Sequence, residues 1–297
     1  MLKFTWGLVQ ALHKVYWFMP NVLFSKGGVG SLPVVLASRF YRIPVIIHES
    51  DSIPGKSNKI AGRFAELIAV AFAGAGEYFP NRQVIHTGNP IRKYLLAEEI
   101  SQERAKGFFG FKTNEPLVLV LGGSQGAVGI NDLILDTLPD LLQFTQVFHQ
   151  TGPKNYKDVL GEFGVVVKDL PQPLRDRYKA MDYFEKDIRI ALRAADLVIT
   201  RAGSGIFELA AFGKPAILLP LPLSVTAHQE ANAMELQEAG AAMVMEADNL
   251  LPHLFVENVK KLLSNLSQLQ KMSTAIRSFY KPDAASNLAR IILRFRR

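Results

Sequence analysis

Between Leu197 and Asn232 a short apolar run, LVIT, leads into RAGSG, then the helical pattern IFELAAFG, a second apolar run PAILLPLPL and the cluster HQEANA. A glycine-rich turn from strand to helix leaves backbone N–H groups able to converge on a phosphate. Ala202, Gly203, Ser204 and Gly205 are therefore candidate phosphate contacts. Glu208 stands about one turn into the helix, and an ionised carboxylate, which only accepts hydrogen bonds, suits the two donors of a ribose diol. His228, Gln229 and Asn232 follow the next strand and return to the carboxyl edge of a parallel sheet, where such sheets bind ligands. The segment reads as a cradle for a nucleotide-diphosphate sugar. The competing readings are an ordinary turn for RAGSG, a solvated helix position for Glu208 and helix capping near Thr226 for His228 and Gln229.

A second glycine turn follows LVLVL, where Gly122, Gly123, Ser124, Gln125 and Gly126 lead into a helix. Ser124 adds a hydroxyl donor for a phosphate or base, while the alternative is a tight turn that needs positive φ. Earlier in the chain, SKGGVGSLP and IIHESDSIPGKSNK are polar loops after strands. His48, Glu49 and Asp51 have the makings of an acid/base group, because imidazole titrates near neutral pH and a carboxylate can orient it. A strand-end histidine satisfied within the fold is the other reading of His48. Arg92, in HTGNPIRKYL, is placed either to hold an anion or to cap a helix.

The elements that must position these residues alternate strand with helix, which predicts α/β domains built on parallel sheets. The chain has 297 residues, 48% of them hydrophobic, a length that suggests two domains. VLFS, PVIIHE, LIAVAF and QVIHTG are predicted strands of the first; PLVLVLGGS, TQVFHQTG, DLVIT and PAILLPL are those of the second. The polar stretch SQERAKGFFGFKTNEP between them sets the expected boundary, with domains over 1–105 and 106–280 and a C-terminal helix over 281–297. In that helix Asp283 is a potential cap, and Leu288, Ile291, Ile292 and Phe295 share a face that can pack back on the first domain. The first domain looks incomplete, for no strand with its own glycine turn precedes VLFS.

With no cysteine, disulfides, thiolate metal ligands and cysteine nucleophiles are excluded. The net charge of +7 calls for an anionic partner. No nucleic-acid signature appears, so a diphosphate substrate and anionic lipid headgroups account for it better. No apolar run is long enough to span a bilayer, and a cytoplasmic location is expected. The first twenty residues carry Trp6, Leu8, Val9, Leu12, Val15 and Trp17 at roughly helical spacing, with Lys3, His13 and Lys14. Such a segment is either a core helix or a membrane-surface patch.

Taken in order, KGGVGSLP, IPVIIHESDSIPGKSN, TGNPIR, VLGGSQGAVGIN, HQTG, AADLVITRAGSG, ELAAFGKPAILLPLPL, HQEANA and EAGAA resemble the MurG family along nearly the whole chain. These peptidoglycan transferases move N-acetylglucosamine from UDP-GlcNAc to the 4-hydroxyl of lipid I, the undecaprenyl-diphospho-muramoyl-pentapeptide, with inversion. The resemblance implies the GT-B fold: two Rossmann-like domains across a cleft, with a C-terminal helix crossing back. It implies that Ser124, Gln125 and Gly126, with Ala202 to Gly205, contact the donor nucleotide. Glu208 is implied to bind the ribose and Gln229 with His228 the sugar hydroxyls, with Asn232 a further candidate substrate-binding residue. Arg92 is placed on the donor side and Asp51 near the transferred sugar, and Glu185 is a further candidate substrate-binding residue. No metal or cofactor is implied, and the location is peripheral, on the cytoplasmic face of the inner membrane.

The chain departs from the family pattern in four ways. The family's opening strand and GTGGH-type loop have no counterpart here, which leaves the catalytic base unknown, with His48 and Glu49 as weak candidates. Asp51 stands where Asn is more usual. Arg201 and Glu208 are one position closer than the pattern has them, and Ala227 replaces a frequent Asp. The alternatives are a nucleotide-sugar-binding remnant of impaired activity and a related glycosyltransferase with another acceptor.

Overall fold

The structure, a computed structural model of the chain, describes residues 2–97, 100–123, 126–220, 227–246 and 250–295. It divides into two compact units, Met1–Ile91 with Phe279–Arg297, and Arg92–Ser278.

The first unit is built on four parallel strands, β1 (Leu23–Ser25), β2 (Val45–Glu49), β3 (Leu67–Val70) and β4 (Val84–His86), paired in that order. β2 and β3 are buried at every position, which is why Val45–Ile47 and Leu67–Val70 are apolar runs rather than alternations, with the buried His48 and Glu49 closing β2. Right-handed crossovers that all step the same way keep the connecting helices on one face of such a sheet. The opposite face is covered from the far end of the chain. Leu288 and Ile291 of helix Ala284–Leu293 pack with Ile46, Leu67 and Ala69, joined by Ile292 and Phe295. Asp283 occupies the N-cap position of that helix, but its side chain makes no capping hydrogen bond.

Helix Leu2–Phe18 uses only part of its apolar surface within the fold. Ala11 and Val15 are buried against Ala37 and Ile43, with Leu12 packed alongside. Trp6 and Trp17 are 65% and 73% exposed. Among the described residues no helix is long and apolar enough to cross a membrane.

The second unit carries six parallel strands: β5 (Leu117–Leu121), β6 (Gln146–Gln150), β7 (Tyr178–Met181), β8 (Leu197–Thr200), β9 (Ala216–Leu218) and β10 (Ala242–Val244). Their order across the sheet is β10-β9-β8-β5-β6-β7. The order reverses at β5, whose neighbours are β8 and β6, and this is the kind of switch point at which a doubly wound sheet binds ligands.

The unit boundary falls at Ile91 and Arg92, not at the predicted 105 and 106. The reason is an anchor at the amino end of the second sheet. Asp196 accepts 2.8 Å hydrogen bonds from the Gln102 side-chain amide, the Lys106 ammonium and the Leu117 backbone N–H. Helix Gln102–Phe108 is thereby tied to β5 and β8, so the charged stretch that looked like a linker is part of the second unit.

Candidate nucleotide-sugar site

Because all six strands are parallel, the loops after β5, β6, β7 and β8 emerge at one edge. Leu121 and Thr200 are register partners, and the Thr200 hydroxyl donates to the Leu121 carbonyl at 2.9 Å. The two glycine turns therefore start side by side.

The turn after β5 is demanding of its glycines. Gly123 and Gly126 have φ of +82° and +74°, and a Cβ on Gly126 would lie 2.1 Å from the Thr151 carbonyl oxygen. That carbonyl is held in turn by the side-chain amides of Asn131 at 3.0 Å and Asn155 at 3.2 Å. Since Asn131 spends its NH2 on Thr151, its Oδ1 faces His149 as an acceptor. His149 then carries its proton on Nε2 and accepts the Tyr178 hydroxyl at Nδ1, both at 3.0 Å. Burial alone pushes the His149 pKa down to about 3, so the imidazole is neutral and serves as scaffold. Ser124 and Gln125 lie outside the described residues.

The turn after β8 is different in kind. Neither Gly203 nor Gly205 has a positive φ, and a Cβ on either would meet nothing within 4 Å among the described residues. The turn is held from beneath, where the buried Asn232 amide donates to the Ala202 carbonyl at 3.0 Å. Ala202 is itself buried, while Ser204 and Gly205 are exposed. Asn232, expected to bind substrate, thus uses its side-chain NH2 to position the loop. His228 and Gln229 sit half-buried in the first turn of helix Ala227–Glu238.

Glu208 does not face bulk water. Its carboxylate receives a two-pronged bond from Arg92, Nε to Oε1 and Nη2 to Oε2, each 3.1 Å. Burial raises the Glu208 pKa above the ordinary carboxylate value, and the Arg92 charge and hydrogen bonds oppose that rise. Burial is the largest single pull on Arg92 and lowers its pKa, but the Glu208 and Tyr94 charges and the Glu208 hydrogen bonds together outweigh it and leave the guanidinium above its usual value. A carboxylate offers about four acceptor sites and Arg92 uses two, leaving room for a diol. Arg92 also borders a cavity of about 680 Å³, where Tyr94, Tyr183 and Glu185 join it and the Tyr94 hydroxyl donates to the Glu185 carbonyl at 3.2 Å.

In the first unit the structure gives His48 and Glu49 scaffolding roles. His48 is fully buried and its Nε2 lies 3.0 Å from the Gly88 carbonyl. Burial lowers its pKa to about 4, with the Gly88 bond opposing and the Lys26 charge adding to the fall. Such an imidazole is a weak base at neutral pH. Glu49 is buried too, and accepts from Asp51 N–H at 3.0 Å, Gly55 N–H at 3.2 Å and the Asn58 amide at 2.8 Å. This geometry favours neither residue as a base. Asp51 is half-buried at the head of the loop that Glu49 holds. Lys26 supplies a nearby countercharge to both carboxylates. Its Nζ donates to Asn89 at 3.2 Å.

Residues 117–288 match the glycosyltransferase family 28 C-terminal domain and residues 1–70 its N-terminal domain. A Halothermothrix orenii protein is 36% identical over 98% of this chain and 79% of its own length. That relative is a UDP-N-acetylglucosamine–N-acetylmuramyl-(pentapeptide) pyrophosphoryl-undecaprenol N-acetylglucosamine transferase. The chain belongs to the MurG family, within glycosyltransferase family 28. Acinetobacter baumannii MurG superposes with a TM-score of 0.76 at 25% identity, covering 97% of this chain and 77% of that one. The Neisseria meningitidis UDP-GlcNAc 2-epimerase shares the fold at a TM-score of 0.74, with 13% identity over 98% of this chain and 81% of its own. This MurG-family chain therefore has the GT-B plan of two Rossmann-like domains.

The family signature marks the loops, but not the residues that hold them. Lys26, Asn58, Asn131 and His149 all sit inside recognisable motifs, and only their partners, distant in sequence, reveal what they do.

Proposed function

We propose that this chain transfers N-acetylglucosamine from UDP-GlcNAc to the 4-hydroxyl of lipid I, yielding lipid II for peptidoglycan synthesis. The observation that carries the reading is the Glu208 carboxylate, fixed by Arg92 beside a glycine turn whose open residues the fold itself does not require. The acceptor oxygen attacks the anomeric carbon as the bond to UDP breaks, inverting that carbon, and the hydroxyl proton passes to a base. Charge develops on the departing diphosphate. Backbone N–H groups of the two turns, at Gly122, Gly123 and Gly126 and at residues 202–205, stabilise it without having to reorganise. Glu208 accepts the ribose hydroxyls, Arg92 and the Glu185 segment lie at the nucleoside end, and His228 and Gln229 stand at the sugar. Asp51 meets the transferred sugar, its charge offset by Lys26.

Calorimetric titration with UDP tests this directly. Glu208→Ala is expected to weaken binding by about 1–3 kcal/mol, the range for a hydrogen bond to a charged group. An unchanged affinity removes Glu208 from the ribose role, and a chain that binds neither UDP nor UDP-GlcNAc sinks the assignment.

The acceptor's lipid tail calls for a membrane surface, and helix Leu2–Phe18 is suited to meet one. Trp6, Trp17 and Phe18 are exposed, with Lys3, His13 and Lys14 beside them. Indole rings settle at a bilayer interface, and each Lys or Arg near anionic headgroups adds about 1 kcal/mol. Co-sedimentation with vesicles should rise with anionic lipid, fall with salt and drop for Trp6→Ser. Binding indifferent to all three would send the search for a membrane-contacting surface elsewhere.

A further inference from the structure

The motif HQTG contributes no residue to the donor contacts above, yet its glutamine joins two parts of the site. Gln150 is the last residue of β6, buried, and its side chain reaches in two directions. Nε2 donates to the Gly123 carbonyl at 3.1 Å, inside the turn after β5. Oε1 accepts the Phe184 N–H at 3.0 Å, in the segment after β7 that carries Tyr183 and Glu185 into the cavity beside Arg92. One amide thus bridges the turn assigned to the diphosphate and the segment assigned to the nucleoside.

We infer that Gln150 is a positioning residue that sets the spacing between the diphosphate turn and the nucleoside-side segment, so that a uridine diphosphate can engage both at once. The inference rests on the donor reading given above. The chemistry favours glutamine specifically. The bridge needs a donor on one arm and an acceptor on the other, at the reach of a side chain with two methylenes. A glutamate would present a second acceptor to the Gly123 carbonyl, methionine would match the length but break both bonds, and asparagine would fall short. The surrounding packing does not depend on the amide. Thr151 pairs by its backbone N–H with the Met181 carbonyl at 2.9 Å, and Phe184 is packed among Phe109 and Phe148. β6 and β7 therefore stay paired when the Gln150 bridge is removed.

The spacing matters for a ligand that spans both ends and much less for one that does not. UDP and UMP share base, ribose and first phosphate, but only UDP carries the second phosphate deep into the turn. Calorimetry on the full chain is expected to show Gln150→Met weakening UDP about tenfold or more while UMP changes by less than about threefold, with the melting temperature nearly kept. Gln150→Glu should lose at least as much UDP affinity, and Gln150→Asn should recover none. Equal losses for UDP and UMP, or no loss for either, would overturn the inference by reducing Gln150 to a folding role. Should Gln150→Met fail to fold, Gln150→Glu takes its place with the same UDP-to-UMP comparison. A wild-type chain that binds no UDP would overturn the donor reading itself, and a wild-type chain that binds UDP with unaltered variants overturns only this one.

Discussion

The two glycine turns of the second unit look alike in sequence and are opposites in structure. GGSQG needs its glycines because its backbone is left-handed at Gly123 and Gly126 and pressed against the Thr151 carbonyl. RAGSG has no positive φ at its glycines and, among the described residues, open space where their Cβ atoms would go. The first turn is moulded by the protein at Gly123 and Gly126. Among the described residues the second has no internal reason for two glycines, and the proposed approach of a diphosphate would supply one. A glycine motif alone does not separate these cases; the atoms around each missing Cβ do.

The sharpest way to break the comparison is Gly126→Ala. Its Cβ would stand 2.1 Å from a backbone oxygen at a φ of +74°, and neither strain can be relieved by a side-chain rotation. The left-handed conformation alone costs about 1–2 kcal/mol. With displacement of the β6 end added, a loss of about 3 kcal/mol or more is expected in urea denaturation. A variant of wild-type stability would show that the turn is as free as RAGSG.

Acid should also distinguish the turns. The first is held by a buried chain through Asn131 to His149, and the second by Asn232, which does not titrate. Burial sets the His149 pKa at about 3 in the folded chain, against an ordinary value near 6.5 unfolded. Below about pH 6.5 the unfolded chain therefore takes up a proton that the folded chain refuses, and stability falls with each step of acid until the folded value is reached. Between pH 6 and 4 the contribution is on the order of 2 kcal/mol. His48, with a pKa of about 4, adds a similar dependence in the first unit. Unfolding followed from pH 4 to 7 should show a shallower slope for His149→Gln than for wild type; an equal slope would place His149 in contact with water.

Most of this architecture can be read directly in the sequence because buried parallel strands are written as unbroken apolar runs. LVLVL, LVIT and VIIHE are predicted and found within a residue or two. β7 and β10 are not predicted, since both are edge strands buried on little of their length; YKAM is mixed in polarity, and AMV is only three residues long. The site divides the same way. Glu208 and the two turns stand out by local pattern. The Arg92 fork on Glu208 joins residues far apart in the chain, as does the bridge from Gln150 to Gly123 and Phe184, and no spacing rule reaches that far. The misplaced boundary has a related cause: a charged helix looks like a linker until Asp196 is seen to hold it.

The smallest stability effect belongs to RAGSG and bears most directly on what that turn is for. Gly203→Ala and Gly205→Ala place a methyl where no atom of the described residues lies within 4 Å, on a backbone that alanine adopts without strain. Replacing glycine at such a position restricts the unfolded chain and stabilises a fold by about 0.4–1 kcal/mol. Melting temperatures should therefore hold or rise slightly. UDP affinity should move the other way, because the methyl occupies the space in which a phosphate would approach the backbone N–H groups, and a loss of about 1 kcal/mol is expected from one lengthened charged hydrogen bond. A fall in stability would make these glycines structural after all. Unaltered UDP binding at both positions would leave the diphosphate to the turn after β5 alone, and the adjacency of the two turns would then be a feature of the sheet rather than of the site.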